Sequence, residues 1–264
     1  MLKADVDLGY AIGLKPEEAI AYFESKGYAT GFNWHDIEAR AHATSFTVAG
    51  VLKQDVLEDV HKSLREHIAN GGMLRDFERQ ITPTLIRKGW LADRARLVAD
   101  EDGVLEGKQL TPRRLRTIFE TNMQAAYGAG RYAEQMANAE FRPVWERVAV
   151  MDMHTRPLHA RLNGFTARYD DPVWQFMYPP DGYHCRCRIR ARTQADADRM
   201  GIEVKSWEQD IVTVQQAWGP KETRDVKALR FNGELYTPDA GFGHNPGQGW
   251  LSTLGQRLMD KSAD

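Results

Sequence analysis

Two thiols and three imidazoles crowd into one stretch of this sequence. Between Asp152 and Cys187 the chain carries His154, His159, His184, Cys185 and Cys187, which is three of its eight histidines and both of its cysteines. Clustered Cys and His without a disulfide framework point to metal binding more readily than to cross-linking. A bridge between Cys185 and Cys187 would be strained, because extended side chains at i and i+2 lie too far apart for disulfide geometry. If Cys185 to Arg192 is extended, Cys185, Cys187, Ile189 and Ala191 face one way, and Arg186, Arg188, Arg190 and Arg192 the other. Two thiolates so placed reach one zinc ion through bonds of about 2.3 Å, and thiolates select zinc among the common divalent ions. His159 is the expected third ligand. Asp152 or His154, at the end of a strand that starts at Val144, is the expected fourth. His184 falls on the arginine face and is a poorer candidate.

Other readings of the same residues stay open. Two thiols beside Ile189 also suit plain core packing, since cysteine is among the most buried side chains. A catalytic thiol is weaker, with no oxyanion hole or orienting acid in view. An enzymatic alternative is a metal-dependent hydrolase or nuclease using Asp152, His159, Cys185 and Cys187, in which Asp152 is the only evident general base. Arg186, Arg188, Arg190 and Arg192 suit either a nucleic-acid phosphate backbone or ion pairs with Asp170, Asp171, Asp196 and Asp198. The ion pairs are favoured, because 35 basic against 37 acidic residues leave a net charge of −2. A second basic cluster, Arg113-Arg114-Leu115-Arg116, opens a long helix where cations oppose the helix dipole, which favours an anionic partner. No phosphate-cradling glycine loop, nucleophile elbow or paired-carboxylate motif is present.

These residues need a scaffold, and 264 residues at 42% hydrophobic and 10% aromatic can build one. No apolar run approaches the roughly 18 residues of a membrane span, and no secretory signal is visible, so a soluble protein is expected. Helical spacing and stop signals predict a helix opening at Pro16-Glu17-Glu18 and others over Trp34–Val48, Val51–Ala69 and Met73–Lys88, the last kinked or broken by Pro83. A shorter helix follows over Leu91–Val98, and then the loop Ala99–Gly103. Thr111-Pro112 opens the strongest helix, running to Ala137, in which Gly128 and Gly130 imply close approach by another element. Strands are expected over Val144–Met151, Gly164–Tyr169 and Arg186–Arg192, with a short helix over Gln194–Met200. Asn232-Gly233 joins Val226–Phe231 to Glu234–Thr237 in a hairpin. The expected class is α+β: a helical docking domain (1–140), a smaller α+β module with short strands, a C-terminal hairpin and the Cys/His cluster (141–238), and an extended Gly/Pro-rich tail (239–264).

Several ordered motifs carry a family resemblance. Asp152-x-x-Thr155-Arg156-Pro157-x-His159, Gly164, Asp171-Pro172-x-Trp174 and Pro179-Pro180-x-Gly182-Tyr183-x-Cys185-Arg186-Cys187 form its centre. Ser45–Gly50, Thr121-Asn122, Ala126-Tyr127-x-Ala129-Gly130-Arg131, Arg142-Pro143-x-Trp145 and Gly241-Phe242-x-x-Asn245-Pro246-Gly247 extend it over most of the chain. Together they resemble the phage Mu protein F-like head morphogenesis proteins. The resemblance implies a minor head protein of a tailed phage or prophage, present in few copies at the portal vertex and assisting head assembly and DNA packaging or release. The implied partners are the portal protein, other head proteins and the phage DNA backbone, with no membrane, small-molecule substrate or enzymatic activity. The implied location is the virion, and the host cytoplasm during assembly. Related proteins share the Cys-Arg-Cys ending and often place Cys where this chain has His159, an interchange that a soft-metal ligand position tolerates. They commonly have asparagine where this chain has His184.

Overall fold

The computed structural model describes residues 16–29, 45–49, 51, 53–91, 110–218 and 222–263. It is a mixed α+β structure in which helices come first and small antiparallel sheets follow. Helix α1 (Pro16–Glu24) begins where Pro16 presets φ and Glu17 and Glu18 complement the helix N-terminus. Its Ala19, Tyr22 and Phe23 recur at helical spacing and are buried. Helix α2 (Gln54–Asn70) buries Val56, Val60, Leu64 and Ile68 and stops at Gly71, whose φ of 65° a residue without Cβ adopts with no steric cost. Helix α3 (Leu74–Arg87) lays Phe77, Ile81 and Leu85 on the same core.

Of the two outcomes expected at Pro83, a break does not occur: α3 runs on through it to Arg87, with Ile81 and Leu85 buried in the core. The Trp34–Val48 helix fails over its described residues. Ser45–Phe46 forms strand β2, paired in parallel with β1 (Gly27–Tyr28), and Phe46 meets Phe23 edge-on at 5.7 Å. Thr47 and Val48 are not helical either, residues 34–44 lie outside the described residues, and so do the Ala99–Gly103 loop and all of the Leu91–Val98 helix but Leu91.

Helix α4 (Pro112–Ala137) is the beam that joins two cores. Its 26 residues extend about 39 Å, starting from Thr111, whose hydroxyl accepts the Arg114 N–H. Leu115, Phe119, Met123 and Ala126 belong to the first core, whereas Tyr132 enters the second. The two glycines admit neighbours, as expected. A Cβ on Gly130 would lie 3.2 Å from the Ala19 nitrogen, and one on Gly128 2.9 Å from the Pro179 carbonyl oxygen.

The second core sits under a sheet of order β4-β3-β5, made by β3 (Val144–Val148), β4 (Thr166–Arg168) and β5 (Arg188–Arg192), all antiparallel. Trp145 is fully buried there, paired in register with Ala167 and Ala191 and surrounded by Tyr132, Trp174 and Tyr178. Short helices α5 (Pro157–Arg161), α6 (Trp174–Met177) and α7 (Gln194–Arg199) complete this part. A second sheet, β6 (Ile211–Ala217), β7 (Thr223–Phe231) and β8 (Glu234–Tyr236), contains the expected hairpin, with Asn232 and Gly233 at φ 51° and 78°. Strand β6 was not anticipated, although Ile211, Thr213 and Gln215 alternate with Val212, Val214 and Gln216 as strand residues do.

The C-terminal segment is not the extended tail that its glycines and prolines suggested. Helix α8 (Pro246–Ala263) forms because Asn245 caps it, accepting the Gly247 and Gln248 N–H groups at 3.0 and 3.1 Å, and Pro246 occupies the first turn. The helix packs along α4, and Trp250 stands edge-on to Tyr22 at 5.9 Å inside the first core.

The approach at Gly128 yields a test by sign. Helix propensity alone makes Gly128→Ala stabilising by about 1 kcal/mol. Crowding against the Pro179 backbone costs about 1–3 kcal/mol, so the expected result is a lower urea midpoint. A higher midpoint would mean that α4 and the Pro179 turn are not in fixed contact.

Candidate metal centre

The centre starts from strand alternation. On β3 the side chains of Trp145 and Arg147 face the same way, and both are completely buried. Arg147 therefore occupies a core position, and its charge must be met there. Its guanidinium donates to the Asp181 carboxylate at 2.6 Å and to the Met177 carbonyl at 3.0 Å. Those two contacts clamp both ends of the Met177–Asp181 segment. Burial pushes the Asp181 carboxyl up, but the Arg147 charge, together with His159 and the Cys185 hydrogen bond, holds it below the ordinary carboxylate value.

Asp181 in turn positions the thiols. Its Oδ1 accepts from Cys185 Sγ at 3.0 Å and lies 3.6 Å from His159 Nδ1. His159 comes from α5, set by Pro157 in the first turn, and its Nδ1 lies 3.5 Å from Cys187 Sγ. His159, Cys185 and Cys187 are all buried, and their ligand atoms lie within 4.8 Å of one another. The two thiols share charge unequally. Cys187 is drawn down by the Cys185 hydrogen bond and the Arg147 charge, whereas Cys185 is pushed up by Cys187, burial and Asp181.

This donor set fits a zinc-like ion. With bonds of about 2.3 Å to sulfur and 2.0 Å to nitrogen, tetrahedral ligand atoms stand about 3.5 Å apart, which matches the Cys187–His159 separation. Two sulfurs and one imidazole are a soft to borderline set. The nearest carboxylate is Asp181. On the other side, a cleft of about 360 Å³ reaches the three ligands from solvent and is also lined by His154, Tyr183 and Arg186.

The structure thus brings together three of the four ligands expected from the sequence. Asp152 is not with them, because Arg186 takes both of its carboxylate oxygens. That ion pair and the His154 N–H hold the Asp152 carboxyl far below its ordinary value. His154 lines the cleft without joining the ligand group. His184, in a left-handed turn, pairs with Glu120. The cysteines are not on a strand, since β5 begins only at Arg188, yet both are buried against Ala149.

The arginine row is largely neutralised. Arg186 pairs with Asp152, and Arg190 and Arg192 both reach Glu146, at 3.8 and 2.6 Å. Arg188, half-buried at the start of β5, makes its own interaction. Asp170, Asp171, Asp196 and Asp198 are not the partners of these three arginines.

Sequence reasoning missed Arg147, Asp181 and Asp239. The available signal was an arginine two residues from a core tryptophan on an alternating strand. The Nη1 of Arg156 donates to both carboxylate oxygens of Asp239, at 2.7 and 2.8 Å, and its Nη2 donates to the Tyr183 carbonyl at 3.0 Å. A Cβ on Gly182 would strike both partners, at 2.2 Å from Arg156 Nη2 and 2.3 Å from Asp239 Oδ2. The turn, the loop before α5 and the segment before α8 are thereby locked to one another.

Residues 58–190 match a family described as Phage Mu protein F like protein, and that span contains every residue of the ligand group and its Arg147–Asp181 support. The chain belongs to the phage Mu protein F-like family. It is 39% identical over 260 residues to "Putative capsid assembly protein F" of Escherichia phage Mu, covering 96% of this chain and 59% of that protein. It is 35% identical over 228 residues to the Mu-like prophage FluMu F protein of Haemophilus influenzae, covering 84% of this chain and 54% of the relative. The chain thus spans a little over half the length of these F-family proteins. No solved structure matches it.

Replacing Asp181 by Asn in this F-like chain leaves the Arg147 charge buried and unmatched, with an expected loss of about 3–5 kcal/mol in urea unfolding. Because the Asp181 carboxyl titrates below its unfolded value, its contribution is complete above the unfolded carboxylate range. It is lost as pH falls through the folded value. The gap between wild type and Asp181→Asn should therefore narrow in acid, and a gap that widens there would contradict the pairing.

Proposed function

We propose that this F-like chain is a capsid assembly protein of a Mu-like phage or prophage, a minor head component that docks at the portal vertex and assists DNA packaging or release. The observation that carries the assembly role is similarity along 96% of the chain to a protein named for capsid assembly. The chain works by presenting surfaces and not by turning over a substrate. Among the described residues, no helix is long and apolar enough to cross a membrane.

In this reading His159, Cys185 and Cys187 hold a structural zinc ion, with Asp181 beside them as the fourth ligand or as the hydrogen-bonding support of the thiolates. The ion supplies cross-linking: it ties α5 to the Pro179–Cys187 turn, and binding it only in the folded state stabilises the fold. Charge balance favours this arrangement. Two thiolates and the Asp181 carboxylate carry three negative charges, which a divalent ion and Arg147 offset. A small β module with short strands gains most from such a tie.

A metal-dependent hydrolase or nuclease would use the cleft beside the ligands. It needs a general base, and the carboxylates nearby are committed: Asp152 to Arg186, Asp181 to Arg147 and Asp239 to Arg156. We therefore assign no catalytic residue.

Metal analysis of the purified chain is expected to find about one zinc per chain, none in Cys185→Ser/Cys187→Ser, and a full complement in Asp152→Asn. Chelation should lower the melting temperature. Metal-dependent cleavage of DNA by the wild type would overturn the structural reading. At the level of the phage, deleting the gene should abolish infectious, DNA-filled heads, and normal heads from the deletion would refute the assembly role.

A further inference from the structure

A second cavity, of about 290 Å³, is lined by Pro180 and Tyr183 of the Pro179–Cys187 turn and by residues of α1, β2, the first half of α4 and the segment before α8. It approaches the lower end of the roughly 300–1,000 Å³ typical of small-molecule sites. Its chemistry is lopsided. Lys26, Arg113 and Arg114 line it, and no Asp or Glu is among the described lining residues. Three more lining residues, Tyr22, Thr47 and Thr121, each bury a hydroxyl that finds no hydrogen-bond partner. Tyr22 is only 1% exposed. Buried hydroxyls are normally satisfied, so three orphans around one cavity are a departure that calls for a cause. The remaining wall is apolar, formed by side chains such as Ile118, Pro180 and Phe242.

We propose that this cavity is a binding site for a small organic oxyanion, a carboxylate or phosphate attached to an apolar group. The hydroxyls would donate to its oxygens, the basic side chains would balance its charge, and the apolar wall would take its body. Placement of Arg113 and Arg114 in the first turn of α4 fits this occupant. Cations there oppose the helix dipole, and an anion between them and the helix end relieves the conflict. Lys26 gives independent support. Burial pushes its amine down to about 7, the mark of an ammonium held where water solvates it poorly. An oxyanion seated beside it would restore the charged form.

The experiment uses the full chain with two probes, benzoate and phenyl phosphate, and benzyl alcohol as a neutral control, followed by calorimetry and thermal melting. At least one anion should bind at millimolar concentration and raise the melting temperature, benzyl alcohol should not, and the better anion identifies the head group. Lys26→Met should weaken that binding by about tenfold or more. Thr121→Val, close to isosteric, should weaken it while leaving the unfolding transition intact. Lack of binding by both anions would overturn the proposal. So would equal binding of benzyl alcohol, or unchanged affinity in both variants, which would place the anions on surface cations instead. Metal content is not a readout here, so this result stands apart from the zinc reading.

Discussion

Everything packed on the Arg147 side of β3 depends on how that buried charge is met. A guanidinium with no exposed surface is held out of water at a cost of several kcal/mol unless a partner compensates it. Asp181 does so at 2.6 Å, and the Met177 carbonyl accepts a further hydrogen bond. Because one partner precedes Pro179-Pro180 and the other follows it, the charge fixes the whole turn and not a single side chain. Asp181 then has one oxygen left for Cys185, and that oxygen also faces His159. The ligand group is therefore organised from behind by a positive charge. That charge favours the thiolate form of Cys187.

A second layer of ion pairs holds the surrounding loops in place. Arg186, between the two cysteines in sequence, takes Asp152, while Arg156 takes Asp239 across the glycine at 182. These pairs are partly exposed, so each contributes modestly to stability. Their value is geometric, since every one joins segments far apart in sequence. They also explain the residue types in the motif: the acid, threonine and arginine before α5 are fasteners for the turn, and the imidazole two residues after Pro157 is the one that joins the two thiols.

What could be read from the sequence follows from which interactions are local. The helical faces of α1 to α4, the α4 cap and the Asn232-Gly233 hairpin were legible because spacing and turn chemistry decide them within a few residues. The trio His159, Cys185 and Cys187 was legible because its chemistry is distinctive, although the supposed strand geometry was not what brought the thiols together. Asp152 was misassigned because nothing local says that Arg186, 34 positions on, will claim it. Asp181 was overlooked because it reads as an ordinary turn aspartate until Arg147 is found buried. The α8 error had a different origin. Four glycines and two prolines between Pro238 and Trp250 outweighed a cap residue and a first-turn proline, and the contact of Trp250 with Tyr22 is visible only once the chain has folded back on α4.

The turn that carries the cysteines also couples the two halves of the molecule. Its Pro179 carbonyl rests against α4 at Gly128, where no side chain intervenes, and Pro180 forms part of the basic cavity. Tyr183 lines that cavity and the ligand cleft alike, stacked edge-on against Phe242 at 4.8 Å. Whatever fixes the path from Pro179 to Cys187 therefore fixes one wall of the cavity beside α4, and through α4 the register between the helical core and the β core. Packed interiors pass on such constraints because they have little free volume to absorb them. One buried charge pair, Arg147 with Asp181, thus sets the position of segments far apart in the sequence.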